Sequence, residues 1–169
     1  MHSFTLGGAG SIPSVEFDAR SKNLVASGPG GAFQAIKIST GEVTTIDEGI
    51  GWVAEYRFSP DGRFMAAGGA GGIIIWDART WKELRRIGGE SLGGGRGHVG
   101  FSRDGRYIAA IDTFGRLRFW DPATGTEIHV VGEGLLPDGA VEFTIDGRVL
   151  AAGADRKVHV FGPRSGSRK

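Results

Sequence analysis

The chain has 169 residues, a length suited to one domain, and a net charge of +1 that gives no pull toward nucleic acid or an acidic membrane surface. It contains no cysteine, which excludes disulfides and thiolate metal sites. No apolar stretch approaches the about 18 residues that cross a bilayer as a helix, and Met1–Leu6 has neither a basic nor an apolar leader pattern, so the expected location is cytoplasmic.

Taken in chain order, one phrase recurs four times: Val15-Glu16-Phe17-Asp18, Tyr56-Arg57-Phe58-Ser59, Val99-Gly100-Phe101-Ser102 and Val141-Glu142-Phe143-Thr144. The phenylalanines lie 41, 43 and 42 residues apart. Residues 3–6 read as an outer strand that precedes the first phrase. In copy one, residues 33–38 form a third strand and 42–47 an outer one. Copy two shows the unit most fully. Residues 53–59 are an inner strand, and Ser59-Pro60-Asp61-Gly62 is a tight turn in which proline fixes φ, aspartate caps and glycine accepts positive φ. Residues 63–68 follow as the second strand. The unbroken apolar run 72–76 is a third strand buried on both faces. The mixed run 81–87 suits a half-exposed edge. Copy three repeats the pattern with Asp104-Gly105 in the turn, a third strand at 116–120 and an outer strand at 126–131. Copy four turns at Asp146-Gly147 and stops after its third strand, 157–161. The chain also holds 31 glycines, a share far above the usual ~7%. They cluster between the apolar runs, as many tight turns require.

A period of about 40–45 residues with four short strands per unit is that of a propeller blade. The expected fold is all-β: a β-propeller with four four-stranded antiparallel blades over residues 1–162 and a flexible tail at 163–169. Strand 3–6 is expected to complete the last blade. A single blade cannot bury its own faces, so it must stack on neighbours. Three closures are open: a homodimer whose two chains form an eight-bladed ring by exchanging N-terminal strands, a closed four-bladed monomer, or a ring completed by a different chain.

Phe58-Ser59-Pro60-Asp61-Gly62-Arg63, followed by Ala66-Ala67-Gly68 and Ile75-Trp76-Asp77, resembles the WD40 repeat family, as does Trp120-Asp121. Bacterial YVTN-type propeller repeats share part of the pattern. The resemblance implies a rigid ring that binds a protein or peptide partner. The chain departs from the family in two places. Gly97-His98 lies only three residues before Phe101. The family's aspartate six residues before the tryptophan survives only as Asp155, its places elsewhere being taken by Ala32, Ala70 and Phe114. The resemblance therefore leaves the family's buried His–Ser–Asp–Trp network mostly absent.

No catalytic constellation stands out. His2, His98, His129 and His159 show no metal-ligand spacing, and Gly93-Gly94-Gly95-Arg96-Gly97 lacks the Lys-Ser/Thr of a phosphate loop. The expectation is a non-catalytic protein with no cofactor and no metal. Candidate partner contacts are the aromatic, arginine and histidine residues of the loops at one end of the ring: Trp52, Arg96, His98, Phe114 and Arg156. Glu16, Glu55 and Glu142 on inner strands are a lesser candidate for an axial cation. The Asp-Gly-Arg triplets at 61–63, 104–106 and 146–148 read either as an anionic collar or as locally neutralised charge, and neutralisation is favoured. Two other readings are an enzyme of lactonase or quinoprotein type and an engineered or fragmentary propeller without a partner.

Overall fold

The structure, a computed structural model, describes residues 15–27, 33–47, 53–69, 71–92, 98–137 and 139–162. The proposed strand 3–6 and tail 163–169, together with Trp52 and Arg96, lie outside the described residues.

The described residues form four antiparallel sheets in sequence order. The first comprises β1 (Val15–Phe17), β2 (Asn23–Ser27), β3 (Phe33–Lys37) and β4 (Val43–Asp47). The second comprises β5 (Val53–Phe58), β6 (Phe64–Gly69), β7 (Gly72–Asp77) and β8 (Glu83–Ile87). The third is built of β9 (Gly100–Phe101), β10 (Ile108–Ile111), β11 (Leu117–Trp120) and β12 (Glu127–Val131). The fourth has three described strands, β13 (Val141–Phe143), β14 (Val149–Ala152) and β15 (Val158–Phe161). Each sheet is a meander, as expected of a blade.

The turn chemistry is repeated almost atom for atom. The Ser59 hydroxyl donates to Asp61 Oδ1 at 2.7 Å and accepts from the Phe64 N–H at 2.9 Å. Ser102 does the same with Asp104 and Tyr107. Thr144 does so with Asp146 and Arg148. In the first blade Asp18 takes the place of this hydroxyl: it accepts from Asn23 Nδ2 at 2.8 Å and from the Lys22 N–H at 2.7 Å. One side chain thus satisfies the backbone donors that a four-residue turn leaves open. The aspartate of each Trp-Asp pair caps the next turn. Asp77 accepts from the N–H groups of Arg79 and Thr80, and Asp121 from those of Ala123 and Thr124.

The sheets stack through three apolar interfaces. Between blades 1 and 2, Val25, Phe33 and Ala35 meet Tyr56, Met65 and Trp76. The Phe33 ring lies 4.8 Å from Tyr56 and 5.1 Å from Trp76, edge-on to the tryptophan. Blades 2 and 3 join through Ala66, Ile73 and Ile75 against Phe101, Ile108 and Trp120. Ala109, Ile111 and Leu117 meet Val141, Val149 and Ala151 between blades 3 and 4. Each strand's alternation sends one row of residues to the preceding blade and the next row to the following one, so both faces are apolar.

A short 3₁₀ turn, Gly89–Leu92, was not expected in the connection from blade 2 to blade 3. It drops Leu92, which is buried, into the interface between them. Trp81 is partly buried with its ring 6.1 Å from Phe58.

Candidate functional site

The connections between second and third strands gather at one end of the blades. In blade 3 this loop, 112–116, is organised by Asp112. Its carboxylate is fully buried and accepts four hydrogen bonds. Oδ1 takes the N–H groups of Phe114 and Arg116 at 3.0 and 2.9 Å. Oδ2 takes Arg116 Nε and Nη2 at 2.9 and 2.8 Å. A buried carboxylate persists only when it is paired and hydrogen-bonded in this way. Sequence reasoning missed it, because the family pattern directs attention to six residues before the tryptophan and Asp112 stands eight before Trp120. The available signal was a lone aspartate before a Thr-Phe-Gly turn.

With Arg116 so held, its guanidinium lies 5.0 Å from the Phe114 ring centre, and Phe114 itself is 72% exposed. A stiffened aromatic beside a cation, displayed to solvent, is the kind of group that anchors interfaces. The loop of blade 4, 153–157, joins the same surface. The Leu135 N–H donates to Gly115 O at 3.0 Å, the Leu136 N–H to Ala152 O at 2.9 Å and the Ala154 N–H to Gly134 O at 3.1 Å. The segment 132–136 therefore ties the loop carrying Phe114 to the loop carrying Arg156. Leu136, exposed, lies between them.

Arg156 is exposed and takes φ 65°, a left-handed conformation. Its counterpart in blade 3 is Gly115, at φ 73°. Both close the same turn: Gly115 N–H donates to Asp112 O, and Arg156 N–H to Gly153 O. Beside Arg156, His159 Nε2 and Asp155 Oδ1 are 3.1 Å apart, and Lys157 Nζ stands 3.3 Å from Asp155 Oδ2. The hydrogen bond from His159, together with those from Lys157, outweighs burial and holds Asp155 down to about 2. His98 is half-buried just before β9.

The structure thus brings Phe114 and Arg156 together on one end, adds Arg116 and Leu136, and leaves Trp52 and Arg96 outside the described residues. Glu16 and Glu142 do occupy equivalent inner-strand positions, but the others in that row are Arg57 and Gly100, because Glu55 falls three residues before its phenylalanine rather than one. The irregular register between Val53 and Tyr56 sets it apart further. Glu142 Oε1 pairs with Arg57 Nη2 at 2.9 Å, reaching from blade 4 to blade 2. Gly100 lies in the row between them, where a Cβ would come within 2.9 Å of Val141 O. Among the described residues no group of three or more histidines, aspartates or glutamates gathers in a way that could hold a metal ion. At the opposite end, Arg63 and Arg148 are each bound to the aspartate of their own triplet at 2.6 Å, so those charges are locally neutralised.

Three comparisons bear on kinship. The sequence pattern of the family described as WD domain, G-beta repeat matches residues 37–77. That span runs from the end of β3 to the end of β7. No curated protein matches the sequence. Among solved structures, the chain is similar to the crystal structure of the computationally designed Ika4 protein, with a TM-score of 0.76 over 94% of each chain and 20% sequence identity. At that identity the likeness speaks for the fold. Four meandering sheets, the blade-to-blade cores and the matched repeat together make this chain a WD40-like β-propeller of four blades.

Proposed function

We propose that the chain is a non-catalytic scaffold whose loop end, centred on Phe114, Arg116, Leu136 and Arg156, holds a protein or peptide partner. We also propose Trp52, Arg96 and His98, candidates from the sequence, as contacts of the same partner. We further propose that a second copy of the chain completes the ring that displays this end. WD40 propellers commonly mediate protein interactions, and this supports the reading without carrying it, because a fold hosts many functions. The observation that carries it is the exposed Phe114 ring held beside Arg116 by the buried Asp112. A large apolar ring fixed in water has a desolvation gain available only on binding, and its ordering entropy is already spent.

The test is affinity capture from the protein's native cells, with bound proteins identified by mass spectrometry. The native chain is compared with Phe114→Ala and Arg156→Ala. The expected result is a partner retained by the native chain and lost by both variants, with unchanged melting temperatures. A partner retained equally by all three chains would refute this surface as the binding end.

A further inference from the structure

Blades 2, 3 and 4 each turn the same row of residues toward the blade before them. The row is Phe58–Met65–Trp76 in blade 2, Phe101–Ile108–Trp120 in blade 3 and Phe143–Val149–Phe161 in blade 4. The strand registers place Phe17, Leu24, Ile36 and Val43 in that row of blade 1. Phe58 and Phe101 are 8% exposed, whereas Phe17 is 55% exposed. Tyr56, Val99 and Val141, one step along the inner strand, are buried, whereas their counterpart Val15 is 52% exposed.

The forward face tells the same story from the other side. Phe33, Ile73 and Leu117 occupy one equivalent position on the third strand, and all three are buried under the next blade. Their counterpart in blade 4, Val158, is 67% exposed, and Val160 beside it 55%. Among the described residues, Val15 and Phe17 stay exposed on one face and Val158 and Val160 on the other, while Ile36 in the same row of blade 1 is buried. Among the described residues, neighbouring inner strands β1 and β5, β5 and β9, and β9 and β13 lie against one another, and no contact of that extent joins β13 to β1.

We infer that the face of blade 1 carrying Val15 and Phe17 and the face of blade 4 carrying Val158 and Val160 are two halves of one blade-to-blade interface, each covered by the other face of a second copy of this chain. This rests on the proposed ring closure and specifies its surfaces. Three interfaces of the same design already exist within the chain, so the fourth needs no new geometry. The two faces present the same strand positions that meet in the three interfaces within the chain. The described rows of the blade 1 face hold no charge, and in those of blade 4 the one charge, Glu142, is committed to Arg57. A two-fold axis uses the contact twice, and no face is left open.

The interface within the chain gives the expected contact. Phe33 lies 4.8 Å from Tyr56. Their counterparts are Val158 and Val15, so Val158 of one copy must meet Val15 of the other. The chain has no native cysteine, so the double variant Val15→Cys/Val158→Cys can be oxidised and read on a non-reducing gel. Both positions are exposed in the single chain, and neither substitution touches the blade cores. The expected result is a covalent dimer from the double variant and none from Val158→Cys alone. Light scattering of the native chain at micromolar concentration should give twice the 17.8 kDa chain mass. The variant Val158→Glu/Val160→Glu should revert to single-chain mass with an unchanged circular dichroism spectrum, because two charges in that interface have no partner.

Four outcomes would overturn the inference. A cross-linked monomer would mean that the chain closes on itself. Native light scattering at single-chain mass would remove the second copy. A dimer that neither cross-links nor responds to the glutamates would use another surface. A foreign protein cross-linked through either cysteine would name a different occupant. None of these bears on partner capture by the Phe114 end, so the scaffold reading fails or stands separately.

Discussion

Exchanging the turn residues Arg156 and Gly115 tests whether the left-handed backbone of Arg156 is a cost that the fold carries. A residue with a Cβ in that conformation costs about 1–2 kcal/mol. Arg156→Gly removes the cost but loosens the unfolded chain, which returns about 0.4–1 kcal/mol. The net expectation is a gain of roughly 0.5–1 kcal/mol, or a rise of about 1–4 °C in melting temperature for a domain of this size. Gly115→Ala runs the other way. It acquires the same strain, and its Cβ would stand 2.5 Å from Leu135 O. That oxygen belongs to the segment whose N–H is bonded to Gly115 O, so it cannot retreat without breaking the tie between the loops. Overpacking of this kind costs about 1–3 kcal/mol, and with the strain the loss should reach about 2–5 kcal/mol. Urea titration followed by tryptophan fluorescence reads both variants. If Arg156→Gly lowers the midpoint, the strain argument is wrong at its root. If it raises the midpoint and also abolishes partner capture, the arginine is retained for binding at the expense of stability.

Trp120→Ala should cost roughly 3–5 kcal/mol, because it empties a buried aromatic from the interface between blades 2 and 3; an unchanged urea midpoint would contradict that packing. Acid should weaken the fold through the turn aspartates. Asp61, Asp104, Asp146 and Asp155 all sit below their usual range; for Asp61, burial pushes upward but is outweighed by the Ser59 and Arg63 hydrogen bonds, while for Asp146 the Arg148 guanidinium is the leading cause. A carboxylate with a folded pKa below its unfolded one contributes stability above the unfolded value and loses it as pH falls through the folded one. For Asp155 that window runs from 3.8 down to about 2. The urea midpoint should therefore hold steady from about pH 7 to about pH 5 and decline modestly below about pH 4, since these carboxylates are largely exposed. A midpoint that rises on acidification would refute the assigned hydrogen bonds.

The fold was legible because each repeat states its turns in short-range chemistry. A hydroxyl two residues before Asp-Gly, or Asp18 on its own in blade 1, closes the first turn with side chains only a few residues apart, and no long-range contact is needed to specify it. Third strands such as Ile73-Ile74-Ile75 could be recognised as doubly buried for the same reason: their apolar runs are unbroken. What escaped depends on comparison between blades or on distance in the chain. Asp112 works through Arg116 and two loop N–H groups, and a motif that looks six residues before the tryptophan passes over it. The turn at Gly89–Leu92 is too short to show periodicity and is fixed by one buried leucine. Glu55 was misplaced because the row nearest the axis is set one residue before each phenylalanine, and a register irregularity intervenes at Val53 to Tyr56.

Among the described residues, three non-glycine residues take positive φ, and each stands where a sister blade uses glycine. Ser21 corresponds to Gly62, Gly105 and Gly147, and Trp81 to Gly41 and Gly125, while Arg156 corresponds to Gly115. An internal repeat thus supplies its own control: the glycine in one blade identifies the strain accepted in another. For Trp81 the compensation is visible, since its ring is partly buried against Phe58 in the first interface. Arg156 has no such compensation in packing, being exposed on the loop end. Strain at a well-packed aromatic is explained by the fold it helps build. Strain at a solvent-facing cation, on the same hydrogen-bonded surface as an exposed phenylalanine, has no such source in packing and accords with the binding role proposed for that surface.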